Sequence, residues 1–64
     1  MNQYQAKVLA ALQGKGKMPY ADVLQETGPI GFEHVAALRE AGKLDYIVEF
    51  HDGKPAIQVW EVSQ

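Results

Sequence analysis

The chain has 64 residues, of which 47% are hydrophobic and 22% charged, with a formal net charge of −2 and no cysteine. A chain of this length is expected to fold as one domain over residues 1–64, since it buries only about 60% of its unfolded surface and cannot support two cores. The composition excludes disulfides and thiolate zinc sites, favours a reducing, cytoplasmic setting, and lacks the global positive field that would draw the chain onto DNA.

The first predicted helix starts at Asn2, whose side chain can accept a hydrogen bond from the first turn while Gln5 reaches back, as in a capping box. Its buried face is formed by residues at helical spacing, namely Tyr4, Val8, Leu9 and Leu12. The helix is expected to end at Gly14, because two glycines within Gly14-Lys15-Gly16-Lys17 favour a turn. Met18 then adds a short edge strand.

Two further helices are predicted, each opened by a proline. Pro19 suits the first position of a helix, where its missing N–H costs nothing, and Thr27-Gly28 closes that helix after about two turns. Pro29 restarts the chain at once, so the second and third helices are expected to cross at a steep angle, as in a helix-turn-helix. Gly42 is the expected C-terminal stop of the third helix.

The third helix has two different faces. At 100° per residue its inward side holds Gly31, Val35, Leu38 and Gly42, with Phe32 and Arg39 at the margin. The outward side holds Ile30, Glu33, Ala37 and Glu40, with His34 and Ala36 on its flank. Together with the other helices, this spacing predicts a shared interior of Val8, Leu12, Leu24, Val35, Leu38 and Leu44.

The C-terminal half predicts a β-hairpin over residues 44–51 and 55–62, joined by a two-residue type I′ turn at Asp52-Gly53. One face of this hairpin is apolar and pairs Tyr46, Val48 and Phe50 with Val59, Ile57 and Pro55. Pro55 should lie near the tip with its missing donor facing outward. The other face carries Ile47, Glu49, His51, Lys54, Gln58 and Trp60, so either the sheet buries both faces or Trp60 is left for a partner.

Helix, short strand, helix, helix and hairpin is an α+β order that resembles the winged helix-turn-helix family of small DNA-binding domains over nearly the whole chain. Gly42-Lys43-Leu44 and Trp60-Glu61-Val62 are locally similar to the end of Z-alpha domains, which read left-handed nucleic acid. Those domains carry Asn and Tyr where Phe32 and Ala36 stand here, so Z-form recognition is not implied. The family resemblance implies a third helix in the major groove and a hairpin, or wing, on the backbone or minor groove.

Two sets of residues are the candidate DNA contacts. The predicted phosphate contacts are the basic residues near the first turn, the third helix and the wing: Lys15, Lys17, Arg39, Lys43 and Lys54. The predicted base-reading residues lie on or beside the outward face of the third helix: Ile30, Glu33, His34 and Ala37. Carboxylates can accept from cytosine but also repel phosphate, so this face is equally well read as a solvated surface.

We expect neither a catalytic nor a metal site. Glu49 and His51 lie close to the hairpin tip, but the only serine is Ser63 and the only threonine is Thr27, so no nucleophile is placed beside them. His34 and His51 fall in different predicted elements and have no cysteine to complete a ligand set. The sequence therefore predicts a protein that is not an enzyme and needs no cofactor.

Two functions from different classes remain. The first, which is placed ahead because the common use of this fold outweighs the net charge of −2, is a small DNA-binding regulator or accessory factor whose binding is weak and dominated by backbone contacts. The other is a protein-interaction module in which the Ile30 and Ala37 surface and the wing dock on another protein, and the acidic charge favours it. The expected partner is double-stranded DNA or another protein, and a homodimer stays open. No membrane is expected, because the apolar stretch from Val8 to Leu12 is far shorter than the roughly 20 residues that span a bilayer.

Overall fold

The computed structural model describes residues 1–62 as three helices and one antiparallel sheet. The elements are α1 (Gln3–Leu12), β1 (Met18–Pro19), α2 (Tyr20–Thr27), α3 (Phe32–Glu40), β2 (Leu44–His51) and β3 (Lys54–Glu61). The strand order is β1-β3-β2, so the last strand lies in the middle of the sheet. The α+β class and the short strand at Met18 are confirmed, and the topology is winged-helix-like. Ser63 lies outside the described residues.

Among residues 1–62, no helix has the length and the apolar character that spanning a bilayer requires.

The predicted Asn2 cap of helix α1 is confirmed, because the Asn2 side chain accepts a hydrogen bond from the Gln5 amide at 2.9 Å. The helix ends at Leu12 rather than at Gly14, because Gln13 already has an extended ψ of 119°. Gly14 itself has a φ of 72°, in the left-handed region that glycine adopts without strain, and it belongs to the predicted turn.

The third helix begins at Phe32, not at Pro29 as predicted, and Gly31 is its N-cap. The Ile30 carbonyl accepts a hydrogen bond from the Tyr20 hydroxyl at 3.2 Å, and the Ile30 side chain is half-buried against the core. The prediction that Ile30 lies on an outward helix face is therefore wrong. Burial of a large aliphatic side chain contributes roughly 1.5–3 kcal/mol, which outweighs the preference of Pro29 for a first helical position.

The core is one cluster to which each helix and both long strands contribute: Val8, Ala11, Leu12, Val23, Val35, Leu38, Leu44 and Val59. Five of the six predicted core residues belong to it, and Leu24 does not. Leu24 is half-buried, and Val23 is the fully buried residue of α2. Helix α2 starts at Tyr20, which also packs against the core, and residues three apart share a helix face. Tyr20 therefore directs Val23 inward.

Helix α3 ends in a Schellman motif centred on Gly42. The Lys43 amide donates to the Leu38 carbonyl at 2.9 Å, and the Gly42 amide donates to the Arg39 carbonyl at 3.0 Å. Gly42 has a φ of 74°, as this motif requires. The predicted stop at Gly42 is confirmed, and the reversal places Leu44 in the core.

The hairpin has the predicted turn and register. Asp52 and Gly53 both have positive φ, 53° and 76°, as a type I′ turn requires. The pairs on the inner face of the hairpin are Tyr46 with Val59, Val48 with Ile57, and Phe50 with Pro55. The Val62 amide donates to the Lys43 carbonyl, so the backbone N–H and C=O groups of the odd-numbered residues of β2 point towards β3. Pro55 lies opposite the even-numbered Phe50, so the position of its missing N–H points away from β2, as predicted.

The apolar inner face of the hairpin is covered only at its base. Val59 is buried, whereas Val48 is 48% exposed and Phe50 is 71% exposed. An eight-residue strand extends about 26 Å, whereas the nine-residue α3 is only about 14 Å long. The outer half of the wing therefore projects beyond the helices, and the predicted apolar face is buried only at its base.

Substitution of Gly53 by valine is expected to destabilise the fold by about 1 kcal/mol or more, because a β-branched residue resists positive φ. A Cβ at Gly53 would meet no atom within 4 Å, so the cost comes from the backbone and not from a clash. The measurement is the midpoint of thermal unfolding. Gly53→Asn is the matched control and should lose less, because Asn tolerates the left-handed region. Equal midpoints for wild type and Gly53→Val would contradict the turn assignment.

Truncation of Leu38 to alanine should be among the most damaging single changes in the chain. Leu38 is 2% exposed, and removing a buried leucine side chain typically costs about 2–5 kcal/mol. That loss is comparable with the whole stability expected of so small a domain. Urea unfolding followed by circular dichroism measures it, with the exposed Val62→Ala as a control that should change stability by less than about 0.5 kcal/mol.

Candidate functional site

The outward face of α3 is acidic. Glu33, Ala37 and Glu40 are exposed and follow one another at helical spacing, so they share one side of the helix. Glu33 lies in the first turn of α3, where the helix dipole favours a carboxylate. This face therefore offers a small methyl group between two negative charges. Ile30, predicted as its fourth member, faces the core.

His34 lies on the flank of this face and contacts α1. Its ring centroid is 5.0 Å from that of Tyr4, with 30° between the ring planes, and His34 is half-buried. The imidazole therefore packs between α3 and α1, and only part of it reaches solvent. His34 therefore lies beside the outward face of α3 with its ring engaged in a contact within the fold.

The two lysines of the first turn are held in ion pairs. The Lys15 ammonium contacts the Glu26 carboxylate on α2, and the Lys17 ammonium lies 3.3 Å from the Glu49 carboxylate on β2. Exposed pairs of this kind contribute at most about 1 kcal/mol each. Each pair is electrically neutral, however, so neither lysine presents an uncompensated positive charge to a phosphate.

Arg39 is fixed at the base of the wing. Its Nε lies 3.0 Å from Oδ1 of Asp45, and its guanidinium carbon lies 4.4 Å from the centre of the Tyr46 ring. The same Asp45 oxygen accepts a hydrogen bond from the Tyr46 amide at 2.7 Å. Tyr46 in turn packs edge to face against Phe32. Arg39 therefore joins the end of α3 to the start of β2.

Lys43 and Lys54 differ from the other three predicted phosphate contacts. Both are exposed, and within the described range 1–62 neither ammonium has a carboxylate at ion-pairing distance. Lys43 precedes β2, whereas Lys54 pairs with His51 at the far end of the hairpin. The length of β2, about 26 Å, separates their backbones. The structure therefore does not bring the five predicted cations together.

The outer face of the sheet carries Trp60. Inner-face residues Leu44 and Val59 belong to the core, and side chains alternate along a strand, so Trp60 points away from the helices. Trp60 lies opposite Asp45 and is half-buried. The sequence left open whether Trp60 is core or partner-facing, and the structure places it outside the buried cluster. Ile47, 48% exposed, lies on the same outer face.

The hairpin tip and the groove between α1 and α2 show no assembled reaction centre in the described part of the chain. His51 Nε2 lies 3.7 Å from a Glu49 carboxylate oxygen, and the His51 side chain is exposed whereas that of Glu49 is half-buried. One groove of about 310 Å³, between α1 and α2, is lined in part by Thr27. The Thr27 hydroxyl donates to the Gly28 carbonyl at 2.9 Å, so it is engaged with backbone.

No known protein family, curated protein or solved structure matches this chain. The winged-helix-like topology therefore rests on the order of the elements and on the sheet register. What the protein binds must be inferred from the surfaces described above.

Stability should fall at alkaline pH through Tyr20. Burial raises the pKa of its hydroxyl above the ordinary value of about 10, and the neutral hydroxyl donates to Ile30. A group whose folded pKa is raised contributes stability that is complete below its unfolded pKa and is lost as pH rises through the folded pKa. The free energy of unfolding, measured by urea between about pH 8 and about pH 11.5, should therefore decrease.

Tyr20→Phe should remove this part of the pH dependence, at a cost of about 0.5–1.5 kcal/mol at neutral pH for the lost hydrogen bond. Tyr4→Phe is the matched control, because Tyr4 is 41% exposed, and it should keep the alkaline decrease. Identical pH profiles for wild type and Tyr20→Phe would show that Tyr20 is not responsible.

Proposed function

We propose that this chain is a winged-helix protein that binds a basic region of another protein through the outward face of α3. The observation that carries the proposal is the charge of that face. In DNA readers of this topology the third helix enters the major groove, yet here it would bring Glu33 and Glu40 towards the phosphates. A positively charged protein segment fits the same surface without that repulsion.

The distribution of cations supports this choice. Lys15, Lys17 and Arg39 each have a carboxylate partner within the fold, so three of the five predicted phosphate contacts are neutralised locally. Duplex DNA carries one negative charge per about 1.7 Å of its axis, and its binding needs a continuous set of uncompensated cations. The net charge of −2 also disfavours binding to DNA.

The chemistry of the α3 face indicates what kind of partner would bind. Glu33 and Glu40 can each accept two parallel hydrogen bonds from an arginine guanidinium, the strongest geometry available to an exposed carboxylate. Ala37 between them is small enough for a partner backbone or side-chain stem to approach closely. We therefore propose a partner segment that presents arginine or lysine at helical or extended spacing.

DNA binding is a second candidate because of Lys43 and Lys54. Both ammonium groups are uncompensated within residues 1–62, and they flank the wing, where this topology approaches a nucleic-acid backbone. Two phosphate contacts would give a log–log salt slope of only about −2, compared with −4 to −5 for five contacts. Such binding would be weak and would carry no sequence preference.

A photo-crosslinking amino acid at Ala37 tests the interaction proposal in cell extract. We expect crosslinks to protein, lost in the Glu33→Gln/Glu40→Gln double variant and competed by excess wild-type chain, because both carboxylates contact the partner. The same crosslinker at Ala10, which is exposed on α1, is the matched control and should not give those products.

Titration of labelled protein with duplex DNA at about 50 mM and about 200 mM salt decides between the two candidates. The interaction proposal predicts no change in anisotropy at either salt. Binding that weakens with salt and disappears in Lys43→Gln/Lys54→Gln, together with no carboxylate-dependent crosslink, would overturn it in favour of DNA. Both charge variants should stay folded, because all four side chains are exposed, and only Glu33→Gln/Glu40→Gln should show a small drop in melting temperature, from the loss of the Glu33 carboxylate in the first turn of α3.

A further inference from the structure

Strand β2 is an edge strand with an open row of backbone groups. The order β1-β3-β2 leaves one side of β2 without a neighbouring strand in the described structure. Because the odd-numbered residues of β2 face β3, the N–H and C=O groups of Tyr46, Val48 and Phe50 point to the open side. Such an edge is a template for pairing with another strand.

At only one end of this edge does a side chain of the fold accept a hydrogen bond from a backbone amide. The Tyr46 amide donates to the Asp45 carboxylate, which also binds Arg39. Among residues 1–62, no side-chain acceptor lies within hydrogen-bonding distance of the Val48 or Phe50 amides. The side chains there are also unprotected, at 48% exposure for Val48 and 71% for Phe50. Apolar side chains and unpaired amides therefore coincide on the outer half of β2.

Side chains of similar or complementary character lie on either side of Val48 in β2, except at Ile47 and Glu49. Tyr46 and Phe50, both aromatic, lie two residues to either side, and Asp45 and His51 lie three residues to either side. We propose that β2 pairs in antiparallel orientation with β2 of a second copy, across a two-fold axis at Val48. Isologous pairing of this kind gives a closed dimer and joins two three-stranded sheets into one. The dimer is independent of the α3 surface proposed above.

In this register the inner-face pairs and one outer-face pair are complementary, whereas Ile47 lies opposite Glu49 and adds no favourable contact. Val48 lies opposite Val48 of the second copy, and Tyr46 lies opposite Phe50, giving two aromatic pairs on the inner face. Asp45 lies opposite His51, a hydrogen-bond donor for its carboxylate. Asp45 can therefore turn from the Tyr46 amide to this imidazole, which frees the Tyr46 amide for the ladder.

The length of the paired segment and charge oppose the neighbouring two-fold registers. An axis at Tyr46 would pair only residues 44–48, and an axis at Glu49 would pair only residues 47–51 and place two Glu49 side chains face to face. An axis at Ile47 would pair residues 44–50, as many as the axis at Val48, but would place Asp45 opposite Glu49. Length and charge together therefore select the axis at Val48.

Sedimentation equilibrium of the wild-type chain tests the dimer. The apparent mass should rise with concentration from 7.1 kDa towards twice that value. Val48→Lys should hold it at the monomer mass at every concentration, because two ammonium groups would face each other across the axis. Val62→Lys is the matched control, since Val62 is also an exposed valine, at 37%, outside β2, and it should dimerise like wild type.

Amide hydrogen exchange identifies the edge that pairs. Exchange at Val48 and Phe50 should slow as wild-type concentration rises, and it should stay fast in Val48→Lys. If Val48→Lys does not fold by chemical-shift dispersion, Phe50→Glu replaces it, at a site that is 71% exposed, and places a carboxylate opposite Tyr46.

Three outcomes would overturn the proposal. One is a wild-type chain that stays monomeric at millimolar concentration. Another is equal loss of dimer in Val62→Lys and Val48→Lys. The third is a dimer in which the Val48 amide exchanges as fast as in dilute solution.

Discussion

The reversal of the chain at Gly42 is the constraint on which the rest of this structure depends. The Leu38 carbonyl accepts a hydrogen bond from the Lys43 amide, so the end of α3 and the start of β2 are fixed to one another. Leu38 and Leu44 consequently enter the same core from opposite sides of the turn. The direction of the whole wing follows, because β3 is aligned on β2 by a two-residue turn. A side chain at Gly42 would strain the left-handed backbone that makes this possible.

Three of the six basic residues of the chain form ion pairs that connect elements of the fold. Lys15 joins the first turn to α2, Lys17 joins that turn to β2, and Arg39 joins α3 to β2. Each pair contributes little to the free energy of folding on its own, but each places a carboxylate beside a cation that would otherwise be available to bind a phosphate. A winged-helix-like outline and an acidic, locally neutralised surface therefore occur together in this protein.

Local signals in the sequence predicted the features that depend on a few adjacent residues. The Asn2 cap, the Gly42 stop and the Asp52-Gly53 turn are all set by backbone preferences, and the turn alone determines the hairpin register. Ile30 was misplaced because two preferences compete there, and tertiary burial outweighs the helix-start preference of Pro29. The exposure of Phe50 depends on how far the helices reach along the wing, which no local pattern contains. Ion pairs such as Lys17 with Glu49 are equally invisible, since they join residues 32 positions apart.

The central position of β3 in the sheet also determines which strand detaches first when the protein partly unfolds. Strand β1 has only two residues, and one of them, Pro19, has no amide to donate. Its pairing with β3 joins residues that are far apart in the sequence, whereas β2 and β3 are consecutive strands joined by a tight turn. The hairpin can therefore remain intact while β1 detaches, in a sub-global opening of low free energy. Native-state fluctuations should then expose the β1 side of β3 long before the wing itself separates.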